Sequence, residues 1–166
     1  TNATCLVSLG MVQMAAHGVD EARPTFRRAL EINPGDSYVL ADAGVHAIYD
    51  GRLDEARTFL DRARRLNPIP PYWFADYEAL LDFSEGRFAD AARGFGRGGC
   101  GKFRMIYILA CLSLAGGGPE LASALALVRK LEWNLEEVVN AEPFRDPEMR
   151  ERLREGLRRA FAHQES

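Results

Sequence analysis

Apolar residues recur along this chain every three or four positions, and charged residues fill the gaps between them. Ala22, Phe26 and Ala29 make one such stripe, Ala56, Leu60 and Ala63 a second, and Met149, Leu153, Leu157 and Phe161 a third. That period places each set on one face of a helix. No stretch alternates apolar and polar residues over a strand's length, so no strand is predicted. The pattern and its Gly, Pro and Asp punctuation predict helices at 3–16, 19–32, 37–50, 53–66, 71–85, 88–97, 102–115 and 118–131. A short helix or turn at 133–140 is expected to pack back onto the last pair of these helices. A charged helix over 147–162 ends the chain.

The pattern also repeats. Shifted by 34 residues, Gly10 falls on Gly44, and Val19-Asp20-Glu21-Ala22-Arg23 on Leu53-Asp54-Glu55-Ala56-Arg57. Ala29 falls on Ala63, and Ile32-Asn33-Pro34 on Leu66-Asn67-Pro68. A fixed period of this length marks a stack of identical supersecondary units, none of which buries its apolar face alone.

The repeat resembles the tetratricopeptide family. The first unit does so at Leu6, Leu9, Gly10, Ala22, Phe26, Ala29 and Pro34, and the second at Leu40, Gly44, Ala56, Leu60, Ala63 and Pro68. A third, displaced by one residue after Ile69-Pro70-Pro71, keeps Ala79, Ala91 and Phe95. A weaker fourth has Leu109-Ala110, Ala122 and Ala126. The resemblance implies an all-α right-handed superhelix of helical hairpins in a single domain, with repeats at 3–36, 37–70, 71–100 and 101–132 and a capping region at 133–166. It also implies close helix crossings at the small residues, Gly10 facing Ala22 and Ala29, and Gly44 facing Ala56 and Ala63.

Turn chemistry agrees with these units. Gly18, Gly51 and Gly86 suit the position just past a helix end. Asp20-Glu21, Asp54-Glu55 and Asp90 fall in first turns, where the helix dipole favours acids. Asp36 or Ser37 caps the third helix, and Asp146 with Pro147 opens the last one. The segment Pro143-Phe144-Arg145-Asp146-Pro147 and the charged helix after it also resemble the C-terminal ends of bacterial multidomain proteins. In those, a tetratricopeptide region follows a nucleotide-cyclase-type or winged-helix regulatory domain. With an opening already inside an apolar periodic segment, the chain reads as a piece of a longer protein.

Composition narrows the function. With 166 residues and a net charge of −3, there is no general attraction for nucleic acid or an anionic membrane. No apolar run is long enough to span a bilayer. Three widely spaced cysteines, Cys5, Cys100 and Cys111, suggest a reducing, cytoplasmic setting rather than a disulfide framework. His17, His46 and His163 share no ligand spacing, so no metal or other cofactor is expected.

One stretch carries an enzyme-like motif. GFGRGGCGK, residues 94–102, matches both G-x-G-x-x-G and G-x-x-x-x-G-K. The first motif needs a strand before it, yet a helical pattern over 87–93 precedes. The second needs Ser or Thr after the Lys, and Phe103 stands there. The glycines read better as the junction between the third and fourth repeats, with nucleotide binding as a remote alternative.

In tetratricopeptide arrays the first helix of each repeat lines a concave surface. Placed on this sequence, that surface includes Met11, Met14, Tyr38, Val45, Tyr49, Trp73, Asp76, Leu80, Arg104 and Tyr107. Aromatic residues, Met and Arg are enriched in binding surfaces. The positions matching the family's carboxylate clamp, among them Val7, Met11, Ala41, Asp42, Val45 and Trp73, are not basic, which argues against chaperone-tail binding. The expected function is a non-catalytic module that binds a protein or peptide, including another domain of the same polypeptide. An oligomerisation scaffold, with the first helix forming a homodimer or continuing the stack, is the alternative.

Overall fold

The computed structural model describes residues 2–97, 101–128 and 134–162, and the side chains of these apart from Lys102. Ten helices are found among them: α1 (Ala3–His17), α2 (Val19–Ile32), α3 (Ser37–Tyr49), α4 (Leu53–Leu66), α5 (Phe74–Ser84), α6 (Phe88–Gly96), α7 (Lys102–Leu114), α8 (Pro119–Val128), α9 (Leu135–Asn140) and α10 (Pro147–Ala162). No strand occurs among the described residues. α1 pairs with α2, α3 with α4, and α5 with α6 as antiparallel hairpins. The hairpins stack through α1–α3 and α3–α5 contacts, and each second helix touches the first helix of the next unit. The result is the all-α helical-repeat superhelix expected from the period.

The two helix types differ as their positions require. α2 buries only Val19, Ala22, Phe26 and Ala29, and α4 only Ala56, Leu60 and Ala63, with polar residues facing solvent. α3 buries 10 of its 13 residues, because α1, α2, α4 and α5 surround it. A helix enclosed in this way has no polar face to keep.

Local chemistry sets the ends. Gly51 (φ 80°) and Gly86 (φ 81°) adopt left-handed backbone that a side chain would strain. Each sits in a six-residue closing turn, with Arg52 N–H donating to Ala47 O at 2.9 Å and Arg87 N–H to Asp82 O at 2.8 Å. Asp36, not Ser37, caps α3, accepting from Tyr38 N at 2.8 Å and Val39 N at 3.2 Å. Asp146 accepts from Glu148 N at 2.9 Å and caps α10. α5 begins at Phe74 rather than 71. Pro71 and Tyr72 instead form tight turns, their carbonyls taking Phe74 N and Ala75 N at 3.1 Å.

The close crossings need a correction. A Cβ on Gly10 would lie 2.9 Å from the Phe26 ring, and one on Gly44 3.0 Å from Leu60 and 3.6 Å from the Ala56 carbonyl oxygen, so a large side chain fills each glycine notch and Ala56 faces Gly44 through its backbone. In the third hairpin the notch moves to the opposite helix. There Ala79 replaces the glycine, and Gly94 on α6 leaves room for its Cβ, only 2.7 Å from where a Gly94 Cβ would stand.

The fourth unit departs most from the repeat. α7 packs more extensively on α10 than on α8. A Cβ on Gly156 would lie 2.8 Å from the Ala110 Cβ and 2.9 Å from its Cα and carbonyl oxygen, so α10 makes the close crossing expected of a second helix. Ala122 and Ala126, placed at that crossing by the sequence pattern, are exposed. α8 instead buries Leu121, Ala124, Leu125 and Val128.

Candidate functional site

The chain's own tail packs across α3, α5 and α7, three of the helices expected to line a groove. Tyr49 ends α3, Tyr107 lies on α7, and both hydroxyls donate to Glu142 Oε2, at 2.8 and 2.7 Å. Phe144 packs with its ring centroid 4.8 Å from Tyr49 and 6.5 Å from Phe83. Arg145 N–H donates to Tyr49 O at 2.8 Å, and Arg152 Nη1 donates to Ser84 O at 2.7 Å. Two carbonyls at the C-terminal ends of α3 and α5, which no further helical turn serves, thus receive donors from the tail.

Charge reinforces this closure. The Asp50 side chain is 2% exposed and meets three guanidiniums, Arg23 at 2.8 Å, Arg52 at 2.6 Å and Arg145 at 2.7 Å. Arg145 also pairs with Asp20. Burial alone would raise the Asp50 carboxyl, but the hydrogen bonds from Arg52 and Arg23 outweigh it and hold the group below its usual range. Among the described residues no ion pair involves Glu142. Burial pushes it above the usual carboxylate range, and the two tyrosine hydrogen bonds pull back only in part.

His46 is buried, with Nε2 2.9 Å from Val19 O and Nδ1 3.3 Å from Arg52 Nη2. A carbonyl accepts and a guanidinium donates, so the ring is the neutral tautomer carrying its proton on Nε2. Burial lowers its pKa, in keeping with that form.

One part of the surface stays open. Tyr38 is 45% exposed, Tyr72 is 67% exposed and Trp73 is half-buried. The Tyr38 and Trp73 rings lie 5.6 Å apart, and Trp73 is 5.0 Å from Tyr77. Arg104 stacks 5.1 Å over Tyr72 while holding Asp76 through two 2.6 Å bonds. The Tyr77 hydroxyl donates to Asp42 Oδ1 at 2.9 Å, and burial raises Asp42 to about 6. Leu66, the last residue of α4, and Ile69, on the link before α5, are also exposed.

The ten residues expected to line the groove therefore separate. Met14, Val45 and Leu80 are core. Tyr49 and Tyr107 hold Glu142, and Asp76 and Arg104 neutralise each other. Met11 and Trp73 are half-buried, and Tyr38 is exposed. Tyr72 and the tail residues Glu142, Phe144 and Arg145 were not among them. Tyr72 lies in the turn before α5, and the tail residues precede α10 in a proline-flanked segment, so helical periodicity singles out neither.

The other candidate chemistry is dispersed. Gly94 and Gly96 belong to α6, so a helix, not a strand, leads into the glycine-rich stretch. Residues 98–100 lie outside the described residues. The Cys111 thiol is buried and pushed up by that burial. Among the described residues no three His, Cys, Asp or Glu side chains group to hold a metal, and no helix is long and apolar enough to cross a membrane.

No curated protein and no solved structure matches the chain. Residues 13–75, which run from α1 through the first two hairpins to the start of α5, match the tetratricopeptide repeat, a family whose repeats generally mediate protein–protein interaction.

Proposed function

We propose that this protein is a non-catalytic interaction module that engages a protein partner through the aromatic ledge of Tyr38, Tyr72 and Trp73. One observation supports the reading: residues 142–145 cover Tyr49 and Tyr107 on α3 and α7, while Tyr38 and Tyr72 remain exposed. Rigid aromatic side chains of this kind contribute large contact area at low entropic cost and dominate binding energies. The Arg104–Asp76 pair beneath Tyr72 holds the ledge in place. The partner is a helix or extended segment, supplied by another protein or by another domain of the same polypeptide. The charged end of the chain, and its likeness to tetratricopeptide tails of regulatory multidomain proteins, support a role in a larger signalling or transcription protein.

The test is a double substitution, Tyr38→Ala with Trp73→Ala. Partner capture in a pull-down is expected to vanish while the far-UV helical signal persists. Undiminished capture by the folded variant would discard the ledge.

A further inference from the structure

α1 carries a second open apolar face, and the repeat itself says what that face is shaped for. Cys5, Leu9, Val12 and Ala16 follow one another at spacings of four, three and four, one stripe down the helix. Leu9 is 49% exposed and Val12 65%, and Cys5 and Ala16 are exposed as well. Advanced by the 34-residue period, these positions become Val39, Ala43 and His46 on α3 and Asp50 at its C-cap, and all four are buried. That α3 face docks the preceding hairpin, with His46 bonded to Val19 O and its ring centroid 4.7 Å from that of Phe26, and Asp50 bonded to Arg23.

We propose that the outer face of α1 receives the second helix of a further helical hairpin, joined ahead of α1 and stacked as α2 stacks on α3. The chemistry of that helix follows from the substitutions between the two faces. Val12 stands where α3 has its hydrogen-bonding His46, and Ala16 where it has Asp50. The incoming helix therefore docks by apolar packing and presents no arginine in the place of Arg23. The other end of the stack behaves differently. α10 closes it with a charged outer surface, as a terminal element of a helical-repeat array does, whereas α1 presents no such surface.

The test extends the full chain. An added copy of residues 3–36 is joined directly ahead of Ala3, so that the copy's Asp36 takes the capping place of Asn2. The copy carries Cys5→Ser, so that labelling reads only the original thiol, and Arg23→Ala, because no carboxylate faces it. Maleimide labelling of the original Cys5, followed by peptide mass, is expected to slow by about tenfold or more as the thiol is shielded. Leu9→Lys with Val12→Lys in the original α1 is expected to restore the rate while circular dichroism shows the helices intact. Labelling as fast as in the unextended chain overturns the proposal. So does a dimer of the unextended chain that the same two lysines dissociate, since the face would then belong to a second copy.

Discussion

Tyr107 Oη lies 2.7 Å from Glu142 Oε2, joining α7 to a tail residue 35 positions later in the chain. Tyr49 Oη reaches the same oxygen from α3, so one buried carboxylate ties the tail to two helices of the stack.

That shared acceptor predicts a contrast between two substitutions. Glu142→Gln keeps a carbonyl oxygen for both hydroxyls and removes the buried charge, so stability at pH 7 should hold or rise. Glu142→Ala leaves two buried hydroxyls without their acceptor and should cost on the order of 2–4 kcal/mol in urea unfolding. The folded-state pKa of Glu142 is raised, so wild type loses stability as pH climbs from 4.5 through that value. The advantage of Glu142→Gln should therefore shrink toward acid pH.

Asp50 predicts the opposite pH sign. Its folded-state pKa is lowered, so its contribution is present above 3.8 and lost as pH falls through the folded value. Asp50→Asn would leave Arg23, Arg52 and Arg145 without their common counter-charge and, because these arginines are partly exposed, should cost on the order of 1–3 kcal/mol. Hydrogen exchange should quicken at residue 145, whose amide is held on Tyr49 O.

Asp42 and His46 oppose one another in mild acid. His46 must be neutral to accept from Arg52, so its contribution is lost as pH falls below 6.5 through its lowered folded-state pKa. Asp42 is raised to about 6, so the fold gains from its protonation as pH falls from there toward 3.8. Asp42→Asn should raise stability at pH 7 by on the order of 1–3 kcal/mol. In that background, melting temperature should fall more steeply between pH 6.5 and 5, and adding His46→Gln should flatten that slope.

Packing predicts an order of cost among glycines. A Cβ on Gly156 meets the backbone of Ala110 at 2.9 Å, which yields only if α10 and α7 separate. A Cβ on Gly10 meets the edge of the Phe26 ring, which can rotate slightly. Gly156→Ala should therefore destabilise by about 1–3 kcal/mol beyond any gain in helix propensity, and Gly10→Ala by less. Thermal melts of the two variants check the order.

The sequence alone determined the helices and their period. Side-chain spacing, Asp146 as a cap, and Gly51 and Gly86 past helix ends act within a few residues, and a linear reading captures such local rules. α10 began at Pro147, as the cap signal required. Tertiary structure decided which helix partners α7 and what fills the groove. Gly156 against Ala110, and Glu142 between Tyr49 and Tyr107, join residues whose pairing leaves no periodic trace. They meet because α10 packs on α7 where the repeat would place α8, and the tail is carried across α3, α5 and α7. Burial of apolar surface is non-directional, so the pattern shows which faces must be covered, and only the packed structure shows by what.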